Sequence, residues 1–305
     1  MKILVTGGAG FIGSHIVDRY IDLGHSVVVI DNLFRGKLNN LNKKAKFYNI
    51  DICSKDLDNI FIKEKPEIVN HHAAMINVRE SVDCPIVYEK NNIIGLINVL
   101  ENCRKHGVKK IINISSGGVV YGNPKTIPTP EDTPFAPESP YGITKSAGEY
   151  WVKYYQQQFG INYTNLRYAN IYGPRQSTQG GAGVIAIFAK LMLQSEQPNI
   201  FGDGNIARDY VYIDDVVDIN VKVLLEGNNE NFNVGTKTIT TVNDIFKLIQ
   251  KHTSYSGKPK YLPAKPGEVE VNLLDNSKAN KLLGWKPKIA IENGIAKTIE
   301  YFQKK

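Results

Sequence analysis

Seven residues near the start of the chain, Gly7-Gly8-Ala9-Gly10-Phe11-Ile12-Gly13, limit its possible folds more than any other feature. They satisfy a GxGxxG spacing (Gly8, Gly10, Gly13) and a GxxGxxG spacing (Gly7, Gly10, Gly13) at once. Without β-carbons the backbone can turn tightly and lie close to a pyrophosphate, whose charge suits a helix N-terminus. Both flanks agree with that use. Lys2-Ile3-Leu4-Val5-Thr6 is apolar enough for a strand buried on both faces, and Phe11 to Leu23 repeats Ile12, Ile16, Tyr20 and Leu23 at helical spacing before Gly24 stops it. A second strand, Ser26 to Ile30, ends in Asp31, 18 residues after Gly13. A carboxylate there accepts the adenosine ribose hydroxyls and repels a 2′-phosphate, which predicts NAD rather than NADP, with Arg35 close by as a counterweight. Asp31-Asn32 also reads as a turn at a strand end.

The same alternation continues. Strands are expected at Lys46 to Ile50, Glu67 to His71, Lys110 to Ile114 and Asn162 to Arg167. Helices are expected near 55–63, 87–105 and 142–159, with Gly107 and Gly160 as stops for the last two. Repeated strand–helix–strand units predict an α/β fold built on a doubly wound parallel sheet with right-handed crossovers. After Pro174 the pattern changes to a loop over Gln176 to Gly183 and then short mixed elements. These are a helix near 184–194, a strand pair around Gly202-Asp203-Gly204, a helix from Asp214 and a terminal helix near 291–303. The expected organisation is a cofactor-binding domain over 1–175 and a smaller substrate-binding lobe mainly over 176–305, with an interleaved boundary.

Composition removes other classes. The 305 residues are 42% hydrophobic and 22% charged, with a net charge of +7. The excess lysines are dispersed, as in Lys43-Lys44 and Lys109-Lys110, so they read as a solvated face that tolerates an anionic substrate, not as a nucleic-acid surface. Cys53, Cys84 and Cys103 have no metal or redox spacing and read as reduced thiols of a cytoplasmic protein. The apolar runs are too short to span a bilayer, and glycines stand where an export signal needs an apolar stretch, so no membrane or secreted form is expected.

Ser139-Pro140-Tyr141-Gly142-Ile143-Thr144-Lys145 opens the helix near 142–159 and sets Tyr141 and Lys145 on one face. A free phenol titrates at about 10, so a tyrosine base at pH 7 needs about 3 units of lowering, roughly 4 kcal/mol. A neighbouring ammonium and a positively charged nicotinamide are groups that can supply it.

At these residues the chain resembles the extended short-chain dehydrogenases/reductases of the NAD-dependent epimerase/dehydratase family, most of all their UDP-glucose 4-epimerase branch. The resemblance runs along nearly the whole chain. It is carried by Asp51-Ile52, His71-His72-Ala73-Ala74, Asn91-Asn92-Ile93-Ile94-Gly95, Ser115 to Gly122, Arg167-Tyr168-Ala169-Asn170, Gly202-Asp203-Gly204, Arg208-Asp209-Tyr210, Pro266-Gly267-Glu268 and Leu283-Gly284-Trp285. It implies a Rossmann fold, a retained NAD, and reversible C4 inversion of a UDP-hexose such as UDP-glucose or UDP-galactose through a 4-keto sugar.

The resemblance also implies roles. Tyr141 would be the base, Lys145 its partner, and Ser116 the third catalytic group. Gly7, Gly10, Phe11, Ile12, Gly13, Asp31, Asn32, Asp51, Ile52, His72, Ala73, Ala74, Asn92, Ser115 and Tyr168 would join Tyr141 and Lys145 around the cofactor. Asn170, Val184, Phe201, Arg208, Lys265 and Glu268 would join Ser116 and Tyr141 around the nucleotide sugar. Plainer readings stand beside several of these: structural roles for His71 and His72, a surface ion pair for Arg208, core packing for Phe201.

Several positions depart from patterns found in the family. Gly117 stands where many epimerases carry a Ser or Thr that bridges sugar and tyrosine, which leaves Ser116 or a water for that bond. Gly118-Val119 lacks the acid that dehydratases place there, which speaks against elimination of water. Asn272 stands where some epimerases carry a bulky Tyr that restricts N-acetylated sugars. The resemblance thus keeps open 4-epimerisation of UDP-N-acetylglucosamine, UDP-glucuronate or a deoxythymidine-diphosphate sugar, and a non-catalytic NAD-sensing module. It implies a homodimer through the helices near 87–105 and 142–159, and no metal.

Overall fold

A computed structural model describes residues 1–178, 183–264 and 271–304. The first half runs β1 (Lys2–Thr6), α1 (Phe11–Asp22), β2 (Ser26–Asp31), β3 (Lys46–Asn49), α2 (Leu57–Glu64), β4 (Ile68–His71), α3 (Val78–Asp83), α4 (Pro85–Glu89), α5 (Gly95–Lys105), β5 (Lys110–Ser116), α6 (Pro140–Phe159) and β6 (Asn162–Tyr168). The second half runs β7 (Asn170–Tyr172), α7 (Val184–Leu193), β8 (Asn199–Phe201), β9 (Ala207–Tyr212), α8 (Ile213–Lys222), β10 (Glu230–Val234), β11 (Ile239–Thr241), α9 (Val242–Lys251), β12 (Lys260–Leu262), β13 (Val271–Asn272), α10 (Ser277–Leu283) and α11 (Ile291–Gln303).

The main sheet has the order β10-β6-β5-β4-β1-β2-β3, and every pairing in it is parallel. Alternate residues of each strand feed opposite faces: Ile3 and Val5 join the core that includes Tyr20, Tyr168 and Trp285, while Leu4 joins the one with Phe61, Leu100 and Val152. Burial on both faces is why these strands read as unbroken apolar runs. Chain order reverses between β1 and β4, which opens a crevice at the carboxyl ends of the strands, where an open α/β sheet binds ligands.

The doubly wound expectation is met, with differences in detail. The helix expected over 87–105 is α4, a π-helical stretch Lys90–Ile94, and α5 in succession. The edge strand β10 returns from the second half to pair with β6 from Glu230↔Thr164 to Val234↔Tyr168. The strand pair expected around Gly202-Asp203-Gly204 does not form. β8 pairs in parallel with β12, and β9 pairs with β7, β11 and β13. Gly202 and Gly204 both have positive φ, at 70° and 77°, and Asn243 Nδ2 donates to the Asp203 carbonyl, so the segment leaves β8 for a different sheet. Among the described residues no helix is long and apolar enough to cross a membrane.

Candidate functional site

The crevice is a cleft of about 1480 Å³. A pocket for one drug-sized ligand measures roughly 300–1,000 Å³, so this volume exceeds a single such pocket and has room for two ligands end to end. One end is walled by backbone. Gly7 turns at φ 68°, and a β-carbon there would lie 2.8 Å from the Ala73 nitrogen; one at Gly13 would lie 2.4 Å from the Gly7 carbonyl oxygen. These glycines let β1, the turn, the residues after β4 and α1 close on each other. α1 begins after Gly10 with no side-chain cap and no acid in its first turn, so its positive end faces the cleft at Gly10, Phe11, Ile12 and Gly13. An anionic pyrophosphate is the complement of that end.

Beyond the turn, Asp31 is buried and its carboxylate accepts from the Ala9 and Leu33 amides at 3.0 and 2.8 Å. Burial pushes this carboxyl up, against those two bonds. Asn32 Nδ2 donates to Asp51 at 2.8 Å, and Ile52 lines the cleft beside them. Burial also pushes Asp51 up, but the Cys53 amide, Asn32 and Lys90 outweigh it and hold the group low. Arg35 lies at the same wall and reaches Glu80 at 2.9 Å. A cleft with glycine walls, an uncapped helix start and a row of acceptors at the far end fits a dinucleotide.

His72, Ala73 and Ala74 form the floor. Burial drives both His71 and His72 down to about 3, so both imidazoles are neutral at physiological pH and neither is a proton donor there. His71 is used structurally, its Nδ1 2.9 Å from Thr6 Oγ1, whereas His72 Nε2 is buried without a partner, its ring 6.4 Å from that of Tyr168.

At the centre of the cleft, Ser139 caps α6 by accepting from the Gly142 amide, and Pro140 sits at the first turn. Tyr141 follows. Burial pushes its phenol up to about 12, and a hydrogen bond with the Ser116 hydroxyl pulls the other way. Lys145, one turn on, is brought down to about 8 by burial, against the nearby Glu149 charge. Its Nζ donates to the Ile114 carbonyl at 2.7 Å and lies 6.0 Å from the Tyr141 ring centre. Gly117, by contrast, does not line the cleft: a β-carbon there would point at Leu274, 2.5 Å from Cδ1. The hydroxyl beside Tyr141 is therefore Ser116.

The other end of the cleft is walled by side chains from separate elements. Asn170 comes from β7, Val184 from α7, Arg208 from β9 and Asn272 from β13. Asn170 Nδ2 is held by the Asp209 carbonyl at 3.2 Å. Asn272 is buried, Nδ2 3.4 Å from the Gly117 carbonyl, and its Oδ1 has no partner.

Two expected residues stand off the wall. Asn92 Oδ1 accepts from the Met75 amide while its Nδ2 donates to the Met75 carbonyl and, at 3.0 Å, to Thr144 Oγ1, so it supports the floor from below. Phe201 belongs to the separate β8–β12 sheet and does not line the cleft. Lys265 and Glu268 lie outside the described residues. Sequence reasoning passed over Ser81, whose Oγ accepts from the Tyr141 amide at 3.2 Å, and Tyr88, whose ring meets that of Tyr141 edge-on at 6.5 Å.

Residues 3–235 match the model of the NAD dependent epimerase/dehydratase family. A curated relative from Methanocaldococcus jannaschii, a putative UDP-glucose 4-epimerase, is 46% identical over 99% of this chain and 98% of its own. The solved Thermotoga maritima UDP-glucose 4-epimerase with UDP-glucose is 49% identical, with a TM-score of 0.98 over 100% of this chain and 99% of that one. The Thermus thermophilus UDP-glucose 4-epimerase in complex with NAD is 36% identical, with a TM-score of 0.94 over 99% of each chain. Epimerases of UDP-glucuronate and UDP-N-acetylglucosamine are also among the similar proteins.

Proposed function

Since this chain belongs to the NAD-dependent epimerase/dehydratase family, we propose that its cleft carries out reversible C4 epimerisation of a UDP-hexose, UDP-glucose or UDP-galactose. The observation that carries this reading is the meeting of Ser116, Tyr141 and Lys145 midway between a backbone-walled dinucleotide end and an arginine-bearing end. NAD, held along the glycine turn and Asp31, supplies when bound a hydride acceptor and donor for C4 and a positively charged ring.

Tyr141 takes the proton of the 4-hydroxyl and returns one to the 4-keto sugar after it has turned about its diphosphate linkage. Moving Tyr141 from about 12 to 7 asks for about 7 kcal/mol at 1.36 kcal/mol per unit. The Lys145 ammonium and the cationic ring share that load, the contribution of Ser116 being already contained in the value of about 12. Ser116 aligns the 4-hydroxyl with Tyr141. Arg208 grips the diphosphate with its planar fork and Asn170 assists; the family resemblance assigns Lys265 and Glu268 to the nucleotide sugar as well.

The division of labour follows the chain: residues 1–175 hold NAD and 176–305 mainly the nucleotide sugar, with β10 crossing back. A homodimer is supported by apolar side chains left exposed on adjoining helices, Ile94 at 56%, Tyr154 at 45% and Phe159 at 44%. Three unpaired thiols suit a reducing cytoplasm. Asn272, smaller than an aromatic and with an unpartnered Oδ1 at the cleft, favours N-acetylated hexosamines as a second substrate class.

The test is incubation with UDP-galactose, UDP-N-acetylgalactosamine and UDP-galacturonate, without added NAD, products resolved chromatographically. The expected result is conversion to C4 epimers, with Tyr141→Phe losing about 10²–10⁴ of the rate and keeping its NAD. Steady NADH release from UDP-galactose, or a Tyr141→Phe variant at full rate, would overturn it.

A further inference from the structure

The last three residues of β5 are each gripped by a different residue of α6. The Ile114 carbonyl accepts from Lys145 Nζ at 2.7 Å, Ser115 Oγ donates to Glu149 Oε1 at 2.5 Å, and Ser116 lines the cleft with Tyr141, whose phenol it pulls down. Tyr141, Lys145 and Glu149 follow at four-residue intervals, so one stripe of the helix faces one stretch of strand. The Lys145 and Tyr141 contacts belong to the reaction already assigned; the Ser115–Glu149 contact has no assigned purpose.

Glu149 is 4% exposed and does not line the cleft. Its carboxylate also receives Arg167 from β6, through Nε at 2.9 and 3.2 Å and Nη2 at 2.7 Å. Arg167 Nη1 continues to the Tyr121 hydroxyl at 2.6 Å and the Glu131 carbonyl at 2.8 Å, and Tyr121 donates to Asn233 on β10 at 2.8 Å. Every donor is directional, so the network fixes where β5 ends relative to α6, β6 and β10. For stability alone, an apolar cluster of similar volume serves as well as a buried ion pair. It would leave Ser115 and its neighbour free to shift along the helix.

We propose that Glu149 is a positioning residue for the proton transfer: by holding Ser115 it sets the adjacent Ser116 hydroxyl against Tyr141. Misplacement of such a group by about 1 Å costs up to about 10² in rate. The proposal rests on Tyr141 being the base, and the two are separable.

Four variants, Ser115→Ala, Ser115→Thr, Glu149→Gln and Tyr141→Phe, are compared for kcat, KM, bound NAD and melting temperature with UDP-galactose. Ser115→Ala keeps the Glu149–Arg167 pair and is the variant most certain to fold. It is expected to lose about tenfold in kcat with KM within about threefold and NAD content unchanged, and Ser115→Thr to recover most of that loss. Glu149→Gln is expected to lose about a hundredfold in kcat per folded site. A change in melting temperature alone, with kcat per folded site within about twofold in both Ser115→Ala and Glu149→Gln, overturns the proposal. Should Tyr141→Phe lose turnover while Ser115→Ala keeps it, the positioning role falls and the base survives. Should Tyr141→Phe keep turnover, both fall.

Discussion

The two ends of the cleft are built from different materials. The phosphate wall of the cofactor end is backbone, with the Asp31, Asn32 and Asp51 side chains beyond it: a turn with positive φ at Gly7, an uncapped helix start and residues directly after β4, packed so closely that a β-carbon would collide. The sugar end is side chains, Asn170, Val184, Arg208 and Asn272, reaching in from four elements. Backbone walls have almost no conformational freedom to lose on binding, and they grip one shape. Side-chain anchors attached at charges leave the group beyond them room to turn. An epimerase needs both, a cofactor that stays and a sugar that rotates.

The contrast breaks most visibly at Gly13. Ala at this position puts a carbon 2.4 Å from the Gly7 carbonyl oxygen, a distance no real contact adopts, and backbone cannot rotate aside as a side chain does. Gly13→Ala is therefore expected to open the turn and weaken NAD retention by at least about a hundredfold, with loss of more than about 2 kcal/mol of stability. Absorbance of released nucleotide after denaturation, beside a thermal melt, reads both. Full NAD content in a normally stable Gly13→Ala protein removes the claim that backbone closure holds the cofactor.

The same contrast explains what was legible beforehand. Ile3, Leu4 and Val5 go to opposite cores, so β1 announces itself as an apolar run, and the turn, Asp31 and the Tyr141–Lys145 pair each carry a local spacing. β10 carries no such signal. Its residues Asn231 and Asn233 are polar and buried or half-buried because they bond sideways, Asn231 to Asn165 Nδ2 and Asn233 to Tyr121 and the Thr129 carbonyl, partners 66 or more residues away. Asn92 is a related case. A polar residue near the cofactor segment reads as a ligand, and in the structure its carboxamide bonds Met75 and Thr144, which the sequence does not show. Glu149 was invisible because its partners come from β5 and β6, which only the folded sheet brings together.

Arg208 sharpens the comparison from the sugar side. Arg208→Met keeps much of the side-chain volume and removes the fork, so on the proposed role one or two charge-assisted bonds to the diphosphate would be lost. At about 1.5–3 kcal/mol for a hydrogen bond to a charged group, KM for UDP-galactose is expected to rise about 10–100-fold. Bound NAD should stay stoichiometric, since nothing at the backbone end depends on β9. Steady-state kinetics and nucleotide content together check this. Loss of NAD in Arg208→Met would mean the two ends are not independent, and an unchanged KM would return Arg208 to the role of a surface ion-pair partner.

The smallest effect is expected where the two halves of the chain touch, at Gly117. A serine there looks like restoration of a missing catalytic hydroxyl, but the geometry argues otherwise. The new β-carbon would point at Leu274, 2.5 Å from Cδ1 and 2.9 Å from Cδ2, and Leu274 is fully buried against Val120 and Tyr121. Leu274 cannot swing out freely either, because its neighbours are tied down: the Thr129 amide donates to the Leu273 carbonyl at 2.8 Å and the Asp275 amide to the Thr129 carbonyl at 2.9 Å. Gly117→Ser is thus an overpacking change, costing about 1–2 kcal/mol, with no gain in kcat because the hydroxyl faces away from Tyr141. Shortening Leu274 in that background, as Gly117→Ser with Leu274→Val, should return part of the lost stability, a non-additivity that neighbours in contact show and distant sites do not. A Gly117→Ser protein with higher kcat and an unchanged melt would place its hydroxyl in the cleft after all, and with it the third catalytic group at 117 instead of Ser116.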